Sequence, residues 1–389
     1  MTNKLENKNL YKLFQSKFPH DRSAEFLVHE RGSTTFLQLE NDSARLASVL
    51  KAHGVVKGDR VIVQVEKSPE NIVLYLACLR AGAVYVPLNT AYTIAEVKYF
   101  IEDAQPRLVI CDPRSEAKIT NEICNDQGLP KVLTLDGKGA GSLIENINSA
   151  DADHTIEQMQ DDDMAAILYT SGTTGRSKGA MITHKNLSSN ALILHEYWQW
   201  EAGDVLLHAL PIFHIHGLFV ALHCALLNAS KVLFHTRFSV TQIIKDLPKA
   251  SVMMGVPTFY TRLLDTPAFD REICQNMRLF ISGSAPLLAE SFSAFEERTG
   301  HQILERYGMT EASPVVTINP LDGTGRIGTI GLPLPSTDVR IVSDEGNILG
   351  PNEPGEIQVK GPQVMKGYYK RPEATADTIK DNWLSTGDI

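Results

Sequence analysis

The segment Tyr169-Thr-Ser-Gly-Thr-Thr-Gly-Arg-Ser-Lys-Gly179 crowds the hydroxyls of Thr170, Ser171, Thr173, Thr174 and Ser177 around Gly172, Gly175 and Gly179. Glycines let backbone N–H groups approach a polyanion without obstruction. Hydroxyls add donors and Lys178 adds charge, so the segment is suited to gripping a pyrophosphate. It is not the G-x-x-x-x-G-K-[ST] loop of kinases and ATPases, because Ser177 rather than glycine precedes Lys178. That difference argues against an enzyme that cleaves at the γ-phosphate. The flank differs too: Gly179 to Thr183 reads as a short strand before a helix starting near His184.

The elements around this loop alternate between strands and amphipathic helices. Thr35 to Gln38 fits a capping box, followed by a helix with Leu39, Leu46, Ala47 and Leu50 on its apolar side and Gly54 at its end. Strands are expected at Arg60–Val65, Arg107–Cys111, Ala165–Tyr169, Leu206–Ala209, Lys231–Phe234, Val252–Gly255 and Leu279–Ser282. Helices are expected at Glu70–Ala81, Gly217–Leu227 and Leu288–Thr299. This alternation predicts an α/β fold with mostly parallel sheets covered by helices. Beyond about Thr317, glycine and proline become frequent and short β runs appear at Val339–Val342 and Glu356–Lys360, the texture of a small β-rich subdomain. The polar, acidic stretch from Gly137 to Asp163 reads as a surface connection. The expected division is therefore residues 1–163, an α/β subdomain; 164–316, a second one holding the phosphate loop; and 317–389, the β-rich part.

The 389 residues carry a formal net charge of -9, so the basic excess of a nucleic-acid binder is missing. No apolar run approaches the roughly 20 residues that span a bilayer, and the polar start MTNKLENKNLYKLFQ has no apolar signal core. Cys78, Cys111, Cys124, Cys224 and Cys274 are odd in number and widely spaced, which points to buried thiols rather than a disulfide framework or a zinc site. A cytoplasmic location, with no nucleic-acid or membrane partner, is the expectation.

Three further segments follow the loop in order: Ser282-Gly-Ser-Ala-Pro-Leu287, Tyr307-Gly-Met-Thr-Glu311 and Ser385-Thr-Gly-Asp388. Together the four resemble the signatures of the adenylate-forming superfamily, which comprises acyl-CoA synthetases, peptide-synthetase adenylation domains and luciferases. The resemblance extends along the whole chain. It implies the large N-terminal domain of that fold, two β-sheets flanked by helices in layers plus a small β-rich subdomain. It also implies that ATP, Mg²⁺ and CoA are used. The implied nucleotide contacts are Thr170, Ser171, Gly172, Thr173, Thr174, Gly175, Lys178, Gly283, Ser284, Ala285, Pro286, Glu305, Arg306, Tyr307, Gly308, Met309, Thr310 and Asp388. Physically, Tyr307 offers adenine a flat face and Asp388 can accept both ribose hydroxyls. Thr310 can bond the α-phosphate, and Glu311 is a hard oxygen ligand for Mg²⁺. Thr170, Thr310 and Glu311 are the expected catalytic residues, with Thr170 and Glu311 at the metal.

Pro211-Ile-Phe-His-Ile-His-Gly217, Met254 to Arg262, Arg278 to Leu287 and Val84 to Tyr92 resemble malonyl-CoA synthetases in particular. A second carboxylate must be held while the first reacts, and a planar guanidinium matches it. The resemblance assigns Arg262 that role, with Ser284 and His214 as partners; His216 is a weaker candidate. Ala312-Ser-Pro-Val-Val316 departs from the pattern expected of those enzymes, which keeps methylmalonate and other small carboxylates open. A non-catalytic nucleotide-binding scaffold is the reading from another class. The abrupt end at Trp383-Leu-Ser-Thr-Gly-Asp-Ile389 predicts that the family's mobile C-terminal domain, with its lysine, is absent. Such a fragment is expected to bind ATP or AMP and to be poor at adenylation and thioester formation.

Overall fold

The computed structural model describes residues 6–123, 130–170, 176–322 and 326–389. They form two compact units: Met1–Ser188 with Pro211–His214, and Ser189–Leu210 with Ile215–Ile389.

In the first unit a short helix, Leu10–Gln15, precedes an antiparallel pair, β1 (Glu25–His29) and β2 (Gly32–Thr35). The helix Phe36–Ala52 follows, started by the expected capping box: Gln38 N–H donates to Thr35 Oγ1 at 3.2 Å and Thr35 N–H to Gln38 Oε1 at 2.8 Å. Its Leu39, Leu46, Ala47 and Leu50 are buried. The central sheet contains β3 (Arg60–Gln64), β4 (Val84–Pro87), β5 (Leu108–Cys111), β6 (Lys131–Thr134), β7 (Met164–Thr170) and β8 (Lys178–Thr183), in the order β8-β7-β4-β3-β5-β6. All pairs are parallel except β7 with β8. Strands β4 and β5 are buried at every position, as expected of a parallel sheet covered on both faces.

The second unit holds a sheet with β9 (Val205–His208), β10 (Lys231–Phe234), β11 (Val252–Gly255), β12 (Leu279–Ser282) and β13 (Ile303–Gly308), parallel in the order β13-β12-β11-β9-β10. β14 (Val315–Ile318) and β15 (Leu332–Pro333) extend it antiparallel from β13. A separate four-stranded antiparallel sheet has the order β16-β17-β20-β19, from β16 (Asp338–Val342), β17 (Glu356–Lys360), β19 (Ile379–Lys380) and β20 (Trp383–Ser385); β18 (Gly367–Tyr368) precedes β19.

The expected boundary at residue 163 falls inside the first unit, because β7 hydrogen-bonds to β4 and carries β8 with it. The β-rich segment beyond 316 groups with the second unit rather than standing alone. The helix expected at Gly217–Leu227 begins as π-helix over His216–Leu222 and becomes α-helical at His223–Leu227. Cys78, Cys111, Cys224 and Cys274 are buried free thiols; Cys124 lies outside the described residues. Among the described residues no helix is long and apolar enough to cross a membrane.

Candidate active site

In the first unit β7 and β8 form the two sides of a hairpin whose connection is the hydroxyl-rich loop. Tyr169 is opposite Gly179, and Thr170 opposite Lys178, at the loop's neck. The neck is braced from the helix Ile94–Ala104: Tyr169 Oη donates to Asp103 Oδ2 at 2.8 Å, and Tyr99 Oη to the Ser177 carbonyl at 2.7 Å. Ser171, Gly172, Thr173, Thr174 and Gly175 lie outside the described residues. His214 belongs to this unit and is exposed.

The second unit encloses a cavity of about 460 Å³, bordered by Ser284, Ala285, Pro286, Glu305, Arg306, Tyr307, Gly308 and Asp388 among the expected residues. Leu287, Gly328, Thr329, Ile330, Ile357 and Ile389 complete its wall. Tyr307 Oη donates to Asp388 Oδ2 at 2.5 Å. Burial, then the Asp388 carboxylate, pushes the Tyr307 phenol up, so it stays a neutral donor. Asp388 is held by its backbone neighbours. Its carbonyl accepts from Ile357 N–H at 2.9 Å, its own N–H donates to Thr386 Oγ1 at 3.1 Å, and Thr386 Oγ1 donates to the Ile357 carbonyl at 2.7 Å. A flat ring beside an anchored carboxylate can take a base and a ribose. The size suits a small-molecule site of roughly 300–1,000 Å³.

Glu305 faces the same way on β13 as Tyr307. Its Oε1 accepts from Leu287 N–H at 2.9 Å and thereby fixes the end of the Gly283–Leu287 turn. Burial raises its carboxyl. Gly308 has a steric reason: a Cβ there would run into the Pro314 carbonyl. Ala312 of the departing segment is fully buried, and Val315 and Val316 enter the core. They therefore pack beneath the site, not in the wall of this cavity.

Glu311 sits in a 3-10 turn, Thr310–Ala312, and is only 6% exposed. Its Oε1 accepts from Tyr368 Oη at 3.0 Å, and its backbone carbonyl accepts from Met365 N–H at 2.8 Å. Among the described residues no cluster of three or more His, Cys, Asp or Glu could hold a metal. One fixed carboxylate nevertheless fits Mg²⁺, which commonly takes one or two protein carboxylates and completes its shell with phosphate and water.

The expected acid-binding residues lie on different elements. Ser284, in the left-handed region at φ 69°, is 3.2 Å through Oγ from His216 Nδ1, and His216 is buried. The weaker candidate, His216, is thus the histidine of the second unit that lies beside Ser284. Arg262, on the helix Pro257–Leu264, is exposed and lies over the Phe238 ring, 4.9 Å from its centroid. Phe238 in turn stacks on Phe259 at 3.9 Å. Sequence reasoning missed Tyr368, Thr329, Ile330 and Ile357. Tyr368 lies in Gly367-Tyr-Tyr-Lys-Arg-Pro, where only the turn-like composition was a signal.

The chain belongs to the AMP-binding enzyme family, whose model matches residues 14–369. Within that family its likeness is to acyl-CoA ligases. It is 32% identical to a long-chain-fatty-acid–CoA ligase of Bacillus subtilis over 99% of this chain and 75% of that protein. It is also 32% identical to a feruloyl-CoA synthase of Amycolatopsis, over 95% of this chain and 73% of that one. Among solved structures, ATP-bound MatB of Rhodopseudomonas palustris superposes with a TM-score of 0.95 at 45% identity, covering 98% of this chain and 76% of MatB. The O-succinylbenzoate–CoA synthetase of Bacillus subtilis in complex with AMP superposes at 0.84 with 30% identity over 98% and 75% of the two chains.

Proposed function

We propose that this chain activates malonate with ATP, forming malonyl-adenylate and pyrophosphate, and that the malonyl group then passes to CoA with release of AMP. The observation that carries the reading is the cavity in which Tyr307 and the anchored Asp388 face one another, in a chain that is 45% identical to MatB, whose structure holds ATP, and that itself resembles malonyl-CoA synthetases in sequence. Tyr307 and Asp388 orient the nucleoside. The composition of the segment from Thr170 to Lys178, glycines, hydroxyls and one ammonium, suits it to the β- and γ-phosphates. Thr310 donates to the α-phosphate. Glu311, fixed by Tyr368, is the residue that would hold Mg²⁺, and the ion supplies charge neutralisation for the departing pyrophosphate. A substrate carboxylate oxygen attacks the α-phosphorus as the bond to the pyrophosphate oxygen breaks. The protein's part in that displacement is chiefly positioning and charge compensation.

The curated relatives are named for acids with apolar chains or rings, so a substrate panel is the decisive experiment. ATP should be converted to AMP, not ADP, and malonate should outrank propionate, octanoate and ferulate. Production of ADP would reject the reaction class. A preference for octanoate or ferulate would reject the acid.

A further inference from the structure

Tyr307 does two things that pull in opposite directions. Its ring borders the cavity as a flat wall, and its phenol donates to the carboxylate that a ribose would need. At 2.5 Å the bond from Oη to Asp388 Oδ2 is at the short end for an O–H donor on a carboxylate, the strong class of hydrogen bond. Burial keeps the phenol protonated, so the donor is present at any working pH.

Neither partner can step aside. Asp388 is tied through both of its backbone groups, its carbonyl to Ile357 N–H at 2.9 Å and its N–H to Thr386 Oγ1 at 3.1 Å. One residue earlier, Gly387 takes φ 76°, a region that favours glycine, and its N–H donates to Glu356 Oε1 at 3.0 Å. The carboxylate therefore presents the same edge to the phenol and to a ligand. Tyr307 sits on β13, which is bonded to β12 on one side and to β14 on the other, with Tyr307 opposite Thr317.

A carboxylate has two oxygens, and a vicinal diol is held best with one hydroxyl on each. Oδ2 is engaged by the phenol. A nucleoside that lays its base on the Tyr307 ring and its 2′- and 3′-hydroxyls on Asp388 meets that phenol as a rival for the same oxygen. The rival has somewhere to go. The Thr386 hydroxyl also reaches the phenol oxygen, so rotation about one C–O bond turns the phenol hydrogen from Asp388 toward Thr386.

We propose that the Tyr307 phenol is a release device for the nucleotide: it competes with the ribose hydroxyls for Asp388 Oδ2, which weakens AMP binding and speeds the departure of AMP. The inference rests on the reading of this cavity as the nucleotide site, and it sets the hydroxyl of Tyr307 against the ring of the same residue. An enzyme that makes AMP must also let it go, and product release limits many enzymes. The competition weakens ATP equally. ATP has two further phosphates for the segment from Thr170 to Lys178, whereas AMP lacks them, so the product is left the more loosely held.

The test is calorimetric titration and stopped-flow release with AMP and with 2′,3′-dideoxy-AMP. The proteins are the parent chain, Tyr307→Phe, Tyr307→Leu, Asp388→Ala and the double variant Tyr307→Phe with Asp388→Ala. Tyr307→Phe keeps the ring and removes the rival. It should bind AMP ~5–30-fold more tightly than the parent and release it correspondingly more slowly. Its affinity for the dideoxy compound should stay within about twofold, because no hydroxyl contests Oδ2 there. In the Asp388→Ala background, Tyr307→Phe should change AMP binding by less than about twofold, which closes a double-mutant cycle. Tyr307→Leu loses the stacking ring as well, yet its preference for AMP over the dideoxy compound should exceed the parent's. That ratio carries the test if the Phe variant fails to give a cooperative melt. A ratio no larger than the parent's in the folded Tyr307 variants overturns the proposal, as does AMP binding that is unchanged or weaker in Tyr307→Phe. A tightening that persists with the dideoxy compound, or without Asp388, overturns it too, since the phenol would then act on something other than the ribose contact. A parent chain that binds neither compound rejects the nucleotide reading itself, a separate failure.

Discussion

Tyr368→Phe removes one oxygen atom and leaves the ring in place, so it isolates the bond that fixes Glu311. The phenol donates to Glu311 Oε1 at 3.0 Å, with Tyr368 7% and Glu311 6% exposed. Burial, then the Glu311 charge, pushes the phenol pKa up, so the donor stays protonated across any working pH. Hydrogen bonds to charged groups contribute about 1.5–3 kcal/mol. If that is expressed in the fold, the melting temperature falls by roughly 3–12 °C. If it is expressed in the orientation of the metal ligand, binding of MgATP weakens by up to ~10–100-fold while binding of AMP, which needs no pyrophosphate-bound metal, changes little. The assay is calorimetric titration with ATP at increasing Mg²⁺ and with AMP alone, run beside Glu311→Gln. The variant should resemble Glu311→Gln in losing Mg²⁺ dependence, to a smaller degree. Unchanged Mg²⁺ dependence and unchanged melting in Tyr368→Phe would refute the argument that the phenol positions the carboxylate. An unchanged Glu311→Gln would refute the metal role beneath it.

Other outcomes follow from the same structure. Asp388→Ala should weaken AMP by ~10–100-fold through the lost ribose contacts while leaving the melting temperature within about 2 °C, because the side chain is exposed; fluorescence titration with a labelled nucleotide reads it. His184 is buried and lowered from 6.5 to about 4 by that burial, and its Nδ1 accepts from Leu10 N–H at 3.0 Å. Its folded pKa lies below its unfolded one, so the stability it confers is complete above pH 6.5 and is lost as pH falls toward about 4. The size is about 3 kcal/mol. His184→Asn should flatten that acid limb in urea midpoints measured at pH 7 and pH 4.5, and an unchanged limb would contradict the assignment.

The parallel strands were legible because they are short apolar runs between glycine- and proline-rich turns. Lys231–Phe234, Val252–Gly255 and Leu279–Ser282 fall at the expected residues. The capping box at Thr35 was legible because both of its partners are local. Sheet membership was not. The run from Met164 to Thr170 looks the same whether it begins a new sheet or ends the preceding one, and only its hydrogen bonds to β4 decide. The site divides similarly. Tyr307, Glu311 and Asp388 announce themselves through short motifs, and Tyr307 and Asp388 do meet. Arginine roles were the harder problem. Arg262 and Arg306 are alike as letters; the first is exposed on the helix Pro257–Leu264 and the second is buried against the bare backbone of Gly283, a difference no local pattern carries. His216 and His214 are separated by one residue, and it is His216 Nδ1 that lies 3.2 Å from Ser284 Oγ in the second unit. Tyr368 reaches Glu311 across 57 residues, a partnership that no local pattern encodes.

The central claim concerns one small molecule: an adenylate whose acyl group ends in a carboxylate. Its most direct test is the affinity of a non-hydrolysable malonyl-adenylate analogue, measured against AMP and against the octanoyl analogue. The account predicts binding at least ~100-fold tighter than AMP and ~10-fold tighter than the octanoyl compound, since the proposed reading gives the added carboxylate a guanidinium partner. Equal affinity for malonyl-adenylate and AMP, or a preference for the octanoyl analogue, would contradict it.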